Sequence, residues 1–215
     1  MVTSNLFKRM ISSGSISVNN GELNIWNVPS MIYPIITPIF FQMLLEKKLC
    51  NEIHDILYDV GKMQGREGGE IMYSKFGFKR NKKSAELGNE QGEFVGIGHQ
   101  EYLKFDIKNK HFIVKIKNTP FSKQYLKLFG RQKYPVDHFI RGLLTGANEA
   151  FSQTELIGIE TECIAQGKPH CIFEIKPKKD WNLKDPLIKQ QFPKEILNNY
   201  ILKEKTMLKA WQKPQ

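Results

Sequence analysis

From Glu93 to Lys176 the hydrophobic period of the chain passes from two to helical spacing and back to two, and this alternation limits its fold more than any other feature. Glu93 to Asp106 and His111 to Lys117 alternate apolar with polar residues around Lys108-Asn109-Lys110, which predicts a β-hairpin with lysines on its wet face. Val136, Phe139, Ile140, Leu143, Leu144, Ala147 and Phe151 then follow one helical face. Gly142 and Gly146 fall on successive turns of it, where a neighbouring backbone can approach closely. Leu156 to Ile164 and Cys171 to Lys176 read as two further strands around the turn Gln166-Gly167-Lys168-Pro169. A helix carried between two such hairpins packs against a sheet.

In the front half, Glu22 to Val28 alternates behind the turn residue Gly21, the pattern of a half-buried strand. Phe41, Leu45, Leu49, Ile53, Ile56, Val60 and Met63 recur every three or four residues, so one long helix is expected from a Thr37-Pro38 start to about Gly65. Gly65 to Gly92 contains six glycines and a basic cluster, and its assignment stays open between a second helix and a loop. Phe192 to Trp211, with Ile196, Tyr200, Leu202 and Leu208, reads as a lysine-rich helical tail. Neither an internal repeat nor a helix-turn-helix is visible, so no direct nucleic-acid contact is expected.

With 215 residues, 40% of them apolar, the chain can bury one core, and a single domain with terminal extensions is expected. Its 32 basic and 22 acidic side chains leave a net charge of +10, but the lysines are scattered. The short runs at Lys79-Arg80-Asn81-Lys82-Lys83 and Lys176-Pro177-Lys178-Lys179 are read as solvated surface. Three cysteines make no disulfide framework, and no charged-then-apolar leader opens the sequence, so a reducing, cytoplasmic setting is expected. The apolar stretch Pro29 to Leu45 is interrupted by Pro34 and Pro38 and is too short for a membrane span.

The chemistry concentrates in the second hairpin. Centred on Gly167, it sets Cys163 opposite Cys171, with Ile157, Ile159, Thr161, Phe173 and Ile175 on their face and Glu160, Glu162 and Glu174 on the other. Two facing cysteines can be inert buried thiols, a cross-strand disulfide or half of a metal site, and their spacing alone does not choose. His54, His99 and His111 are too dispersed to form a motif. No Ser-His-Asp arrangement, phosphate-cradling glycine loop or redox Cys-x2-Cys is present, so an enzyme is the least supported class.

Pro135-Val136-Asp137-His138-Phe139-Ile140-Arg141-Gly142-Leu143-Leu144-Thr145-Gly146-Ala147-Asn148-Glu149, followed by Glu160-Thr161-Glu162-Cys163-Ile164-Ala165-Gln166-Gly167 and Cys171-Ile172-Phe173, resembles the core signature of the 4-vinyl-reductase domain family. Gly21 to Gly65 is similar to the front half of its archaeal hydrocarbon-binding members. The resemblance implies an α/β fold, an antiparallel sheet packed against helices, of the ligand-binding type shared with nitric-oxide-signalling and Golgi-transport proteins. It places the domain at 20–178, with an N-terminal extension at 1–19 and a helical tail at 179–215.

The same resemblance extends to phenol-sensor domains and to small subunits of a Golgi tethering complex. In the sensors a structural zinc is held by three cysteines and a glutamate. Three of those positions match here as Glu160, Cys163 and Cys171, and the fourth falls on Asp137 instead of a cysteine. A mixed oxygen and sulfur shell remains competent for zinc. An unbroken strand would turn Glu160 away from Cys163, so the set requires a bulge between them; otherwise His138 or His170 must serve.

The family also implies an apolar ligand pocket walled by the helix from Val136, with Phe139, Leu143, Ala147 and Phe112 as lining candidates and Phe94, Tyr102 and Trp26 near it. A zinc-containing sensor of a small hydrophobic or aromatic molecule, acting as a homodimer, is the first expectation. Its output would pass through a separate protein partner, reached by the C-terminal tail. The alternative is a non-enzymatic scaffold subunit in the manner of the tethering proteins; an accessory role in vinyl reduction rests on the family's name alone.

Overall fold

The computed structural model describes residues 12–25, 28–50, 52–74 and 77–194. Trp26 and most of the expected tail helix lie outside them. Three short strands open the fold: β1 (Ile16–Asn19), β2 (Glu22–Ile25) and β3 (Val28–Ser30), paired antiparallel in that order. Asn20 and Gly21, at φ 50° and 87°, form the two-residue loop between β1 and β2, the left-handed geometry that an Asn-Gly pair favours. This hairpin begins inside the segment expected as an N-terminal extension.

Two helices stand where one was expected. Helix α1 (Ile36–Leu49) ends at Cys50, whose backbone takes φ 50° and ψ −134°, and α2 (Glu52–Ser74) continues nine residues past the expected end at Gly65. Thr37 does not cap α1, which starts a residue earlier and has no side-chain cap. The glycines of α2 stay helical because another backbone occupies the space where side chains would be. That backbone belongs to α5 (His138–Ser152). A Cβ on Gly61 would lie 2.1 Å from the Phe139 carbonyl oxygen, and one on Gly65 would lie 2.0 Å from that of Leu143. Reciprocally, a Cβ on Gly142 or Gly146 would lie 1.9 Å from the carbonyl oxygen of Tyr58 or Lys62. Tertiary contact thus overrides the low helix propensity of glycine.

Helix α3 (Lys82–Phe94) is capped by Asn81, whose side chain accepts from the Ser84 amide at 3.1 Å. It takes up the first residues of the expected strand. Gly96 and Gly98, at φ 88° and 121°, then turn the chain into β4 (His99–Asp106), which pairs with β5 (His111–Lys117) as the sequence predicts. Helix α4 (Pro120–Phe129), with proline in its first turn, follows. Strands β6 (Ile157–Glu162) and β7 (Cys171–Lys176) complete a four-stranded antiparallel sheet of order β4-β5-β7-β6.

The fold is α/β, with antiparallel sheets packed against helices. Phe112, Val114, Ile116, Phe173 and Ile175 form the sheet side of the main core, with Ile140, Leu144 and Phe151 of α5 against them. Ile157 and Ile159 belong to a second cluster under Trp181, whose indole nitrogen donates to the Ile157 carbonyl at 3.2 Å. They therefore do not share the face of the two cysteines, contrary to strict alternation. Among the described residues no helix is long and apolar enough to cross a membrane.

Candidate metal centre

The interruption of β6 builds the site. Register runs from Glu160 opposite Phe173 to Glu162 opposite Ile172, so Thr161 is an extra residue on its strand. This bulge returns Glu160 to the side of the cysteines. Helix α5 begins beside it, and Asp137, the residue before its first turn, donates its amide to a Glu160 carboxylate oxygen at 3.2 Å. Cys163 leads into a 3-10 turn (Ile164–Gln166), and Cys171 opens β7. Asp137, Glu160, Cys163 and Cys171 offer ligand atoms that all lie within 4.8 Å of one another. All four side chains are buried, none more than 1% exposed.

The Cys171 thiol donates to Asp137 Oδ2 at 3.2 Å, and its sulfur accepts from the Ile164 amide at 3.3 Å. Asp137 Oδ1 and Glu160 Oε1 are buried without any hydrogen-bond partner. Burial raises the Asp137 pKa, and burial together with the charges of Asp137 and Cys171 pushes that of Glu160 well up. The Cys171 thiol is raised by its bond with Cys163, by burial and by Asp137. For Cys163 the bond with Cys171 acts downward, but burial, Glu160 and Asp137 outweigh it. Four anion-forming groups forced to keep their protons, with two oxygens left bare, form a set that a divalent cation can complete.

His138 is not part of this set. It stacks on His54 with ring centroids 3.8 Å apart, and it forms a second group with His54 and Glu46. His170 faces Glu162 at 3.3 Å on the outer side. Helix α4 brings in Ser122, which the sequence reading missed. Its fully buried hydroxyl donates to Asp137 Oδ2 and lies 3.4 Å from Cys171 Sγ. The Thr119-Pro120 start and the spacing of Phe121, Tyr125 and Phe129 were the available signal for that helix.

The stretch that carries these residues has relatives among known proteins. Residues 112–177 match the model of the 4-vinyl-reductase domain, spanning β5, the ligand-bearing start of α5 and both cysteines. This stretch is a 4-vinyl-reductase domain. The chain is 29% identical over 108 residues to the protein MJ1460 of Methanocaldococcus jannaschii, covering 45% of this chain and 67% of that one. It is 27% identical over 100 residues to the phenol regulator MopR of Acinetobacter guillouiae, covering 46% of this chain but only 18% of MopR. In structure it is similar to the phenol-responsive sensory domain of the transcription activator PoxR, solved with phenol. The TM-score is 0.73 at 18% identity, over 89% of this chain and 96% of that one.

Within the 4-vinyl-reductase domain the expected pocket residues part company. Phe112 sits in an edge-to-face cluster with Phe105 at 5.4 Å and Phe151 at 6.2 Å, and Phe139 packs on the same core. The backbones of Leu143 and Ala147 instead lie against Gly65 of α2. That side of α5 is walled by a helix, so the four residues do not line one cavity. Arg141, also missed, is 1% exposed, lies over the Tyr58 ring at 4.2 Å and donates to the carbonyls of Gly158 and Gln191 at 3.0 and 2.5 Å. Gln191, in the short helix α6 (Pro186–Gln191), pairs its side-chain amide with both backbone groups of Glu160.

Proposed function

We propose that this chain is a small-molecule-binding regulatory domain stapled by a structural zinc and acting as a homodimer. The observation that carries the zinc is the buried donor set with two partnerless carboxylate oxygens. Asp137, Glu160, Cys163 and Cys171 would hold the ion, and four protein ligands with no exposed side suit a structural rather than a catalytic role. When bound, the ion supplies a cross-link between the start of α5 and the β6–β7 hairpin. The buried Arg141 guanidinium, held electrostatically by Glu160 among others, offsets part of the negative charge such a centre carries. Elemental analysis of the purified protein is the test. About one zinc per chain is expected, and a fully folded protein free of metal overturns it.

Ligand binding is supported by the match to the 4-vinyl-reductase domain, by the relationship to MopR and by the shared fold. A compact aromatic or aliphatic molecule that binds only the folded state should stabilise it by ~2.7 kcal/mol at a hundredfold excess over Kd. A thermal-shift panel of phenols, short aliphatics and lipids tests this. A panel in which nothing shifts the midpoint favours the scaffold reading. One observation already leans that way: Tyr102, Phe105, Phe112 and Phe151 fill the space between α5 and the sheet edge to face. The dimer is supported by α1, where Phe41 is 60% and Leu44 is 56% exposed.

A further inference from the structure

Asp137 and His138 are consecutive, yet they serve two different clusters. On the far side of the helix start, Glu46 of α1, His54 of α2 and His138 of α5 place one carboxylate oxygen and two imidazole nitrogens within 4.8 Å of one another. Three helices from separate parts of the chain converge there. The oxygen Glu46 Oε1 already lies 3.2 Å from His54 Nε2. Two donors about 2.1 Å from one tetrahedral zinc are roughly 3.4 Å apart, so this pair is spaced as ligands of a single ion.

The carboxylate is prepared for the role. Burial would raise its pKa, but hydrogen bonds from His54, Gln42 and Tyr125 prevail and hold it below the usual value. Gln42 donates to Glu46 Oε1 at 2.9 Å and also to the Val136 carbonyl, and the Tyr125 hydroxyl donates to Oε2 at 2.9 Å. Such outer partners orient a ligating carboxylate. The environment differs from that of the closed centre in one respect. Glu46 and His54 side chains each keep 25% of their surface exposed, whereas His138 is 6% exposed. An ion there would be reached from solvent and would keep a position for water.

We propose that Glu46, His54 and His138 form a second, exchangeable site for a divalent transition metal, an open two-histidine, one-carboxylate set beside the closed one. Imidazole and carboxylate donors select ions of the zinc, nickel and cobalt type over magnesium or calcium. The three residues lie on α1, α2 and α5, so metal occupancy fixes the angle between the exposed front helix and the core of the 4-vinyl-reductase domain.

Titration of the tag-free full chain with Co2+, followed by absorption and native mass spectrometry, tests the site independently of the cysteine centre. Cobalt bound by thiolates shows sulfur-to-metal charge transfer, and cobalt bound by nitrogen and oxygen does not. We expect one bound equivalent without charge transfer, present in the parent and in Cys163→Ser and absent in His54→Ala. In Glu46→Gln its affinity should fall by at least the roughly 10–100-fold that loss of an outer-shell partner costs. Circular dichroism checks that both variants remain folded; His54→Asn replaces the alanine variant if that one does not. The proposal is overturned if every bound equivalent shows charge transfer, or if the nitrogen and oxygen equivalent persists without His54.

Discussion

Helices α5 and α1 are similar in length and apolar content but opposite in how they are held. In α5 twelve of fifteen residues are buried, including the polar Arg141, Thr145, Asn148 and Glu149. In α1 only Ile39 and Gln42 of fourteen are buried, although Ile36, Phe40, Phe41, Met43, Leu44, Leu45 and Leu49 run round all its sides. Helix α5 lies between a sheet and α2, and the polar groups it buries find partners there. Glu149, for example, meets Lys62 at 2.9 Å, Arg66, and the Leu156 amide at 2.8 Å. Helix α1 touches the core through Ile39 and through the Gln42 side chain on the Val136 carbonyl. The difference separates a helix whose fold is complete within one chain from a helix whose apolar surface calls for something outside it.

The largest effect is expected where α5 is pinned. Cys163→Ser should release the zinc and lower stability by about 4 kcal/mol or more, read as metal content together with denaturant midpoint. Unchanged stability would mean that packing alone secures the helix start. Next comes the crossing with α2. Gly142→Leu drives a side chain into the Tyr58 carbonyl, a backbone atom that cannot swing aside, and should cost about 3 kcal/mol or more. Gly68→Ala, in the same stretch of α2 but with nothing within 4 Å, should stabilise by roughly 0.5–1 kcal/mol. Chemical denaturation of the pair gives effects of opposite sign if the crossing is as close as described, and equal signs would refute it.

The same contrast explains what could be read beforehand. Both back hairpins, α5 and the close approach at Gly142 and Gly146 were legible because period and packing coincide there. The requirement that Glu160 sit on a bulge followed from simple alternation, and the extra residue is Thr161. What failed was local propensity facing tertiary contact. Gly65, Gly68 and Gly69 suggested an end to α2, whereas the Gly61-x3-Gly65-x3-Gly69 spacing was the mark of a helix pressed against a backbone. The reversal at Cys50 has no signal in a run that stays helical in period on both sides. His54 could not be joined to His138 from sequence, because 84 residues and the α2–α5 crossing lie between them. Ser122 was hidden for the same reason, on a helix whose role appears only when its hydroxyl meets Asp137.

The smallest change in stability is expected on α1, and it carries the most information about assembly. Leu44 is 56% exposed within one chain, so Leu44→Glu removes little burial, keeps a good helix former and should alter the folding midpoint at low protein concentration by no more than about 0.5 kcal/mol. If the apolar surface of α1 is covered by a second copy, the same substitution sets a charge inside that contact, where an unpaired carboxylate is costly. Light scattering on a size-exclusion column should then report twice the chain mass for the parent and a single chain mass for the variant. A Gly68→Ala control should remain dimeric, since a Cβ there meets nothing within 4 Å in the chain. A parent that is monomeric at micromolar concentration would remove the dimer from the proposed function and leave α1 as the surface on which a different protein partner must be sought.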